Sequence, residues 1–144
     1  MAYTPIVLTN AFVSIDGTDF SDHVTSITLN QNVDAVETTA MSAAGARTRV
    51  GGLKDNSVTI EFNQDFSTAE LEATVNAVGA SWVGQNDISV IVKPDGSTTS
   101  ATNPSYTFDV LVSEWTPLNG AVGELATVSV TWPVNGDITK SVTP

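Results

Sequence analysis

The chain has 144 residues, enough for one domain with a real core and too few for a second of ordinary size. Its 16 acidic and 5 basic side chains give a formal net charge of -11, which repels phosphate backbones and argues against a reader of DNA or RNA sequence. The absence of cysteine excludes disulfides and thiolate metal sites.

Only 15% of residues are charged, against an average of about 25%, so the surface is built largely of Thr, Ser, Asn and Gly. That composition favours β-structure, because Val, Thr and Ile pack well on a pleated surface. The opening Met1–Leu8 has neither a basic segment nor a long apolar run, so we expect no leader, no membrane association and synthesis in the cytosol. A single domain over 1–144 is expected, with the last strand ending near the final residue and no appended tail domain.

In chain order, Phe12–Ile15 and Val24–Leu29 read as two strands of a hairpin-like unit, with Asp16-Gly17 supplying the left-handed turn. Ser57–Asn63 alternates cleanly, Val58, Ile60 and Phe62 on one face, and predicts a half-buried antiparallel strand. A helix is predicted over 67–77, opened by the capping box Ser67-Thr-Ala-Glu70, carrying Leu71, Val75 and Val78 on one face and closed by Gly79. Ile88–Val92 reads as a strand buried on both faces, ended by Pro94-Asp-Gly96. Two alternating strands follow, around Tyr106–Val112 and Val128–Trp132, with a turn at Pro117–Gly120 between them. The expected fold class is mainly β: a β-sandwich or partly closed barrel with one flanking α-helix.

The segment at about 38–54 lacks either period and is rich in Gly, Ala and Thr, so it is expected to be a long loop, a kind that is usually functional in so small a domain. Arg47, Arg49 and Lys54 are three of the five basic residues and no acid lies among them, so this loop carries +3 and the remainder -14. A cationic arm on an anionic body is complementary to another copy of itself. Folded out and back, it reaches roughly 25 Å at about 3.3 Å per extended residue. Met41, Arg47, Arg49, Gly51, Gly52 and Lys54 are the candidate contact residues.

The strand and turn Val13-Ser-Ile-Asp-Gly17, the stretch Asp19–Val24, the loop entry Val36–Met41 and the final Tyr106–Pro133 resemble the siphophage major tail protein (tail tube protein) family, itself similar to the tube proteins of type VI secretion. The likeness covers nearly the whole chain. It implies a phage tail-tube-like β-sandwich that closes into hexameric rings, with the long loop bridging stacked rings in a virion tail. It further implies an acidic lumen through which DNA passes without specific binding, with tape measure, tail terminator and baseplate proteins as partners. The larger members' immunoglobulin-like C-terminal domain has no counterpart here.

Chemistry is sparse. His23 sits beside Asp22, but no Gly-x-Ser-x-Gly elbow accompanies them, and neighbours on a strand point to opposite faces, so a strand-edge histidine is expected in place of a catalytic one. Asp16, Asp19 and Asp22 lack the calcium-loop pattern, Gly51-Gly52 lacks the Walker pattern, and Glu70 and Glu72 read as a solvated helix face. No catalytic residue, metal ligand or cofactor is expected. The rival to a self-assembling subunit is a monomeric or trimeric binding module, a capsid decoration protein or a carbohydrate binder using Trp82, Trp115 and Trp132; Trp132 lies on the apolar face of its strand and is expected in a core or interface.

Overall fold

A computed structural model describes residues 2–42 and 44–144; Met1 and Ala43, which fall in the expected opening and the expected loop, lie outside the described residues. In chain order the elements are β1 (Phe12–Ile15), β2 (Thr18–Asp19), β3 (Val24–Asn30), β4 (Val33–Glu37), β5 (Arg49–Lys54), β6 (Ser57–Asn63), α1 (Leu71–Val75), β7 (Asn76–Ala77), β8 (Ala80–Ser81), β9 (Ile88–Lys93), β10 (Ser105–Val110), β11 (Thr127–Pro133) and β12 (Thr139–Ser141). A five-stranded sheet in the order β12-β10-β9-β1-β2 packs on a three-stranded sheet in the order β11-β6-β3, and both stay open. The sandwich is therefore the architecture formed. A single antiparallel bridge, Val110 to Val134, joins the two sheets at one end.

The core follows from strand alternation. Val13, Ile15, Val90, Phe108 and Val110 from one sheet meet Val58, Ile60, Phe62, Val128, Val130 and Trp132 from the other, all of them buried. Leu71 and Val75 of α1 close the flank of the same cluster. No helix among the described residues is long and apolar enough to cross a membrane.

Five local expectations are revised by tertiary context. Asp16 (φ 51) and Gly17 (φ 81) do make the left-handed turn, but it joins β1 to the short β2, while β3 crosses to the other sheet and pairs with β6. The helix is one turn long because Ala69 (φ 63) interrupts the entry and Glu70 makes no side-chain cap. Gly79 (φ 76) instead turns the β7–β8 hairpin, leaving Val78 fully exposed. Strand β9 buries only Ile88 and Val90 deeply and leaves Ser89, Ile91, Val92 and Lys93 partly buried, so it is half-buried rather than covered on both sides. The turn expected at Pro117–Gly120 forms later, where the Glu124 amide donates to the Ala121 carbonyl with Gly123 at φ 87. Several strands were not expected, among them β4 and the short β2, β7 and β8, and β12, which adds to the edge of β10.

Candidate assembly surfaces and a buried histidine

The segment expected to be loop from 38 to 54 ends in a strand that takes up about a third of it. Residues Arg49–Lys54 form β5, which pairs antiparallel with β4 through Ala35–Gly51, Val36–Val50 and Glu37–Arg49. A register shift between Val33 and Ala35 places Gly52 and Leu53 opposite Asp34, a β-bulge that twists the ribbon. Gly52 fits closely there: a Cβ would stand 2.8 Å from Val36 Cγ2 and 3.4 Å from the Asp34 carbonyl oxygen, so the Val36 side chain would have to shift. Gly51 is less constrained, with 3.5 Å to Val33 Cγ2. Beyond the ladder, Thr38 and Thr48 continue the pairing, the Thr38 amide donating to the Thr48 carbonyl at 2.8 Å.

Every residue of β4 and β5 is exposed, and the ribbon pairs with neither sheet. Val33, Val36, Met41, Val50 and Leu53 are all exposed along it. The same pattern recurs in two other excursions, Tyr3, Ile6, Val7 and Leu8 before β1 and Leu118, Val122 and Leu125 before β11. These three segments hold twelve of the sixteen exposed large hydrophobics among the described residues, so the apolar surface is concentrated rather than scattered.

The charge contrast is weaker than the sequence suggests, because pairing brings acids into the arm. Asp34 and Glu37 on β4 reduce the ribbon from 33 to 54 to a net +1. Arg47 Nε lies 3.9 Å from Glu37 Oε1, a loose solvent-exposed contact across the same ribbon. Lys54 Nζ reaches back to Asp137 of the body at 3.0 Å, and holds that carboxyl below its ordinary range by hydrogen bond and charge. Of the candidate contact residues, Met41, Arg47 and Arg49 thus lie at or near the distal end, Gly51 and Gly52 shape the ribbon, and Lys54 ties down its base.

His23 is not the strand-edge residue expected. It sits on the turn from β2 into β3, its amide donating to the Phe20 carbonyl at 2.9 Å and its carbonyl accepting from the Asn63 amide at 2.7 Å. The ring is buried against Phe20, while Nδ1 is 2.8 Å from Asp22 Oδ1, and Nε2 is 3.2 Å from Asp65 Oδ2 and 3.4 Å from Glu70 Oε2. Burial, the largest influence, pushes the imidazole pKa down, but hydrogen bonds and charge from Asp65 and Asp22 outweigh it and hold it above the ordinary value. Hydrogen bonds from the Ser67 amide and hydroxyl, with a smaller contribution from His23, hold the Asp65 carboxyl below its usual range. No sequence signal pointed to this cluster, since Asp65 and Glu70 lie more than 40 positions from His23. Glu70 carried a signal for a different role, the capping box, which the structure does not form.

Glu72 likewise is not on a solvated face: it accepts from Trp115 Nε1 at 2.8 Å, Gln64 Nε2 at 3.2 Å and Asn76 Nδ2 at 3.1 Å. The tryptophans do not form a sugar platform. Trp132 and Trp82 are buried, and Trp115 packs against Phe62 and Trp132, with ring centroids 5.8 and 6.5 Å away. Asp16 and Asp19 do not join Asp22 in the histidine cluster.

No protein-family model matches the chain, and no curated protein matches its sequence. Solved structures do match in fold. A chain of the sheath/tube terminator of an extracellular contractile injection system superposes with a TM-score of 0.69 at 13% identity, covering 98% of this chain and 99% of that one. A chain of a native gene transfer agent virion gives 0.67 at 13% identity, covering 92% and 95%. A chain of the tail of an empty gene transfer agent particle, refined with C6 symmetry, gives 0.63 at 14% identity, covering 92% and 94%. The tail-tube-like fold implied by the resemblance is thus the fold present.

Proposed function

We propose that this chain is the structural subunit of a phage-like tail tube, not an enzyme, and that copies of it close into hexameric rings that stack. The observation that carries the proposal is the β4–β5 ribbon. A water-exposed two-stranded ribbon is at best marginally stable alone, and this one displays Val33, Val36, Met41, Val50 and Leu53 to solvent, a surface that makes physical sense when a second copy covers it. The shared fold with chains of a tube terminator and of a six-fold symmetric tail supports the same reading. In this reading the protein resides in the virion tail, and its partners besides itself are terminator, baseplate and tape measure proteins.

Strand β3 offers a route to ring closure, as it is the open edge of the three-stranded sheet and seven residues long. Head-to-tail contacts of that kind close into rings when the rotation allows. The three-stranded sheet carries Glu61 and no Lys or Arg, whereas the five-stranded sheet carries Lys93 and Lys140. The cation-free sheet is therefore the one suited to border the lumen, where DNA slides past without being held.

The test is to replace residues 38–48 with Asn-Gly, which closes β4 onto β5 with a tight turn. The expected outcome is a folded monomer that forms no tubes in negative-stain micrographs at concentrations where the parent chain does. Tubes of normal length from that variant would remove residues 38–48, the distal end of the ribbon, from assembly.

A further inference from the structure

We propose that His23, Asp65 and Glu70 form a binding site for a divalent transition-metal ion of the zinc type, with Asp22 as the group that orients the histidine. Three observations converge. His23 is a buried imidazole whose Nδ1 lies 2.8 Å from Asp22 Oδ1, the distance at which a protonated Nδ1 donates to that carboxylate. This is the arrangement in which a ligating histidine is fixed by a carboxylate on its other nitrogen. It leaves the Nε2 lone pair facing Asp65 Oδ2 at 3.2 Å and Glu70 Oε2 at 3.4 Å, and both of those groups are acceptors. A cation can bridge these three atoms, either the Nε2 proton of an imidazolium or, in its place, a metal ion.

The dimensions fit a metal ion. The three ligand atoms lie within 4.8 Å of one another, and Nε2 stands 3.2 and 3.4 Å from the two carboxylate oxygens. A tetrahedral zinc ion with bonds of about 2.0–2.1 Å has ligand-to-ligand edges of about 3.3–3.4 Å. Imidazole and carboxylate together suit zinc and its neighbours in the first transition row, with water completing the fourth position. Entry is open on the carboxylate side, where the Asp65 and Glu70 side chains are 32% and 45% exposed, while the histidine side is closed by Phe20.

The site would join two segments distant in sequence: the β2–β3 turn, which carries His23, and the connection from β6 to the entry of α1, which carries Asp65 and Glu70. That entry is the point where the expected capping box is missing. An ion bound there binds only the folded chain and raises its stability by mass action. The inference does not depend on the tube reading, since it concerns the isolated subunit.

The experiment uses the full chain stripped with EDTA and titrated with ZnCl2 in a calorimeter, with Co2+ visible absorption as a second probe. The expected result is one equivalent bound, a rise in Tm with Zn2+, and a tetrahedral Co2+ spectrum. Glu70→Gln, at a half-exposed position, should abolish both responses while the apo protein stays folded, and Asp22→Asn should weaken binding by about 10–100-fold. His23→Gln should also abolish them. Absence of stoichiometric binding at millimolar Zn2+, or binding that survives Glu70→Gln and His23→Gln unchanged, overturns the proposal and leaves a proton as the cation held by the cluster.

Discussion

Two antiparallel strand pairs in this molecule have similar ladders and opposite surroundings. Between β6 and β11, Phe62 faces Val128, Ile60 faces Val130 and Val58 faces Trp132, and all six side chains are at most 1% exposed. Between β4 and β5, Val36 faces Val50, and these are 48% and 55% exposed. The first pair is stabilised by the core that its own chain supplies. The second has the backbone hydrogen bonds and the apolar side chains but leaves them exposed on the described chain, and in the proposed reading a second copy covers them. On that reading the difference separates residues that fold the subunit from residues that assemble it.

The comparison is broken most severely from the core side. Trp132→Ala removes the largest fully buried side chain and is expected to cost about 3–5 kcal/mol of monomer stability, measured by urea unfolding. Replacing Val36 and Leu53 together with Asp should leave monomer stability within about 0.5 kcal/mol, because both are exposed, and yet abolish assembly in sedimentation velocity. A large loss of monomer stability from that double variant would show that the ribbon already packs on its own body. The smallest effect is expected from Gly52→Ala, whose new methyl stands 2.8 Å from Val36 Cγ2 and must displace a stiff β-branched side chain. A fall in tube yield with the unfolding midpoint nearly unchanged would place the bulge in assembly rather than folding.

What could be read in the sequence was whatever alternation alone decides. Val58, Ile60, Phe62, Val128, Val130 and Trp132 announce a buried face, and the structure buries all of them. The ribbon was harder, because Arg49–Lys54 alternates nothing apolar with anything polar, and its pairing depends on β4 across the turn and on a bulge that Gly52 fits closely. Its cationic character was also overstated, since Glu37 becomes a neighbour of both Arg49 and Arg47, and Asp34 joins the ribbon opposite Gly52 and Leu53, only once the strands pair. The short helix had real local signals, but Asp65 bonds to the Ser67 amide and Glu70 turns to His23, so the groups that would have capped it are engaged elsewhere. The histidine cluster draws on two segments more than 40 residues apart, and no periodicity encodes such a meeting.

The central claim is that the β4–β5 ribbon is covered by a second copy of the chain. Cryo-electron microscopy of the assembled particle tests it directly. The account predicts that Val36, Val50 and Leu53 are buried against a subunit of an adjacent ring, with Arg47 and Arg49 near acidic side chains of that neighbour. Stacked rings in which the ribbon projects into solvent, touching no second chain, would contradict it.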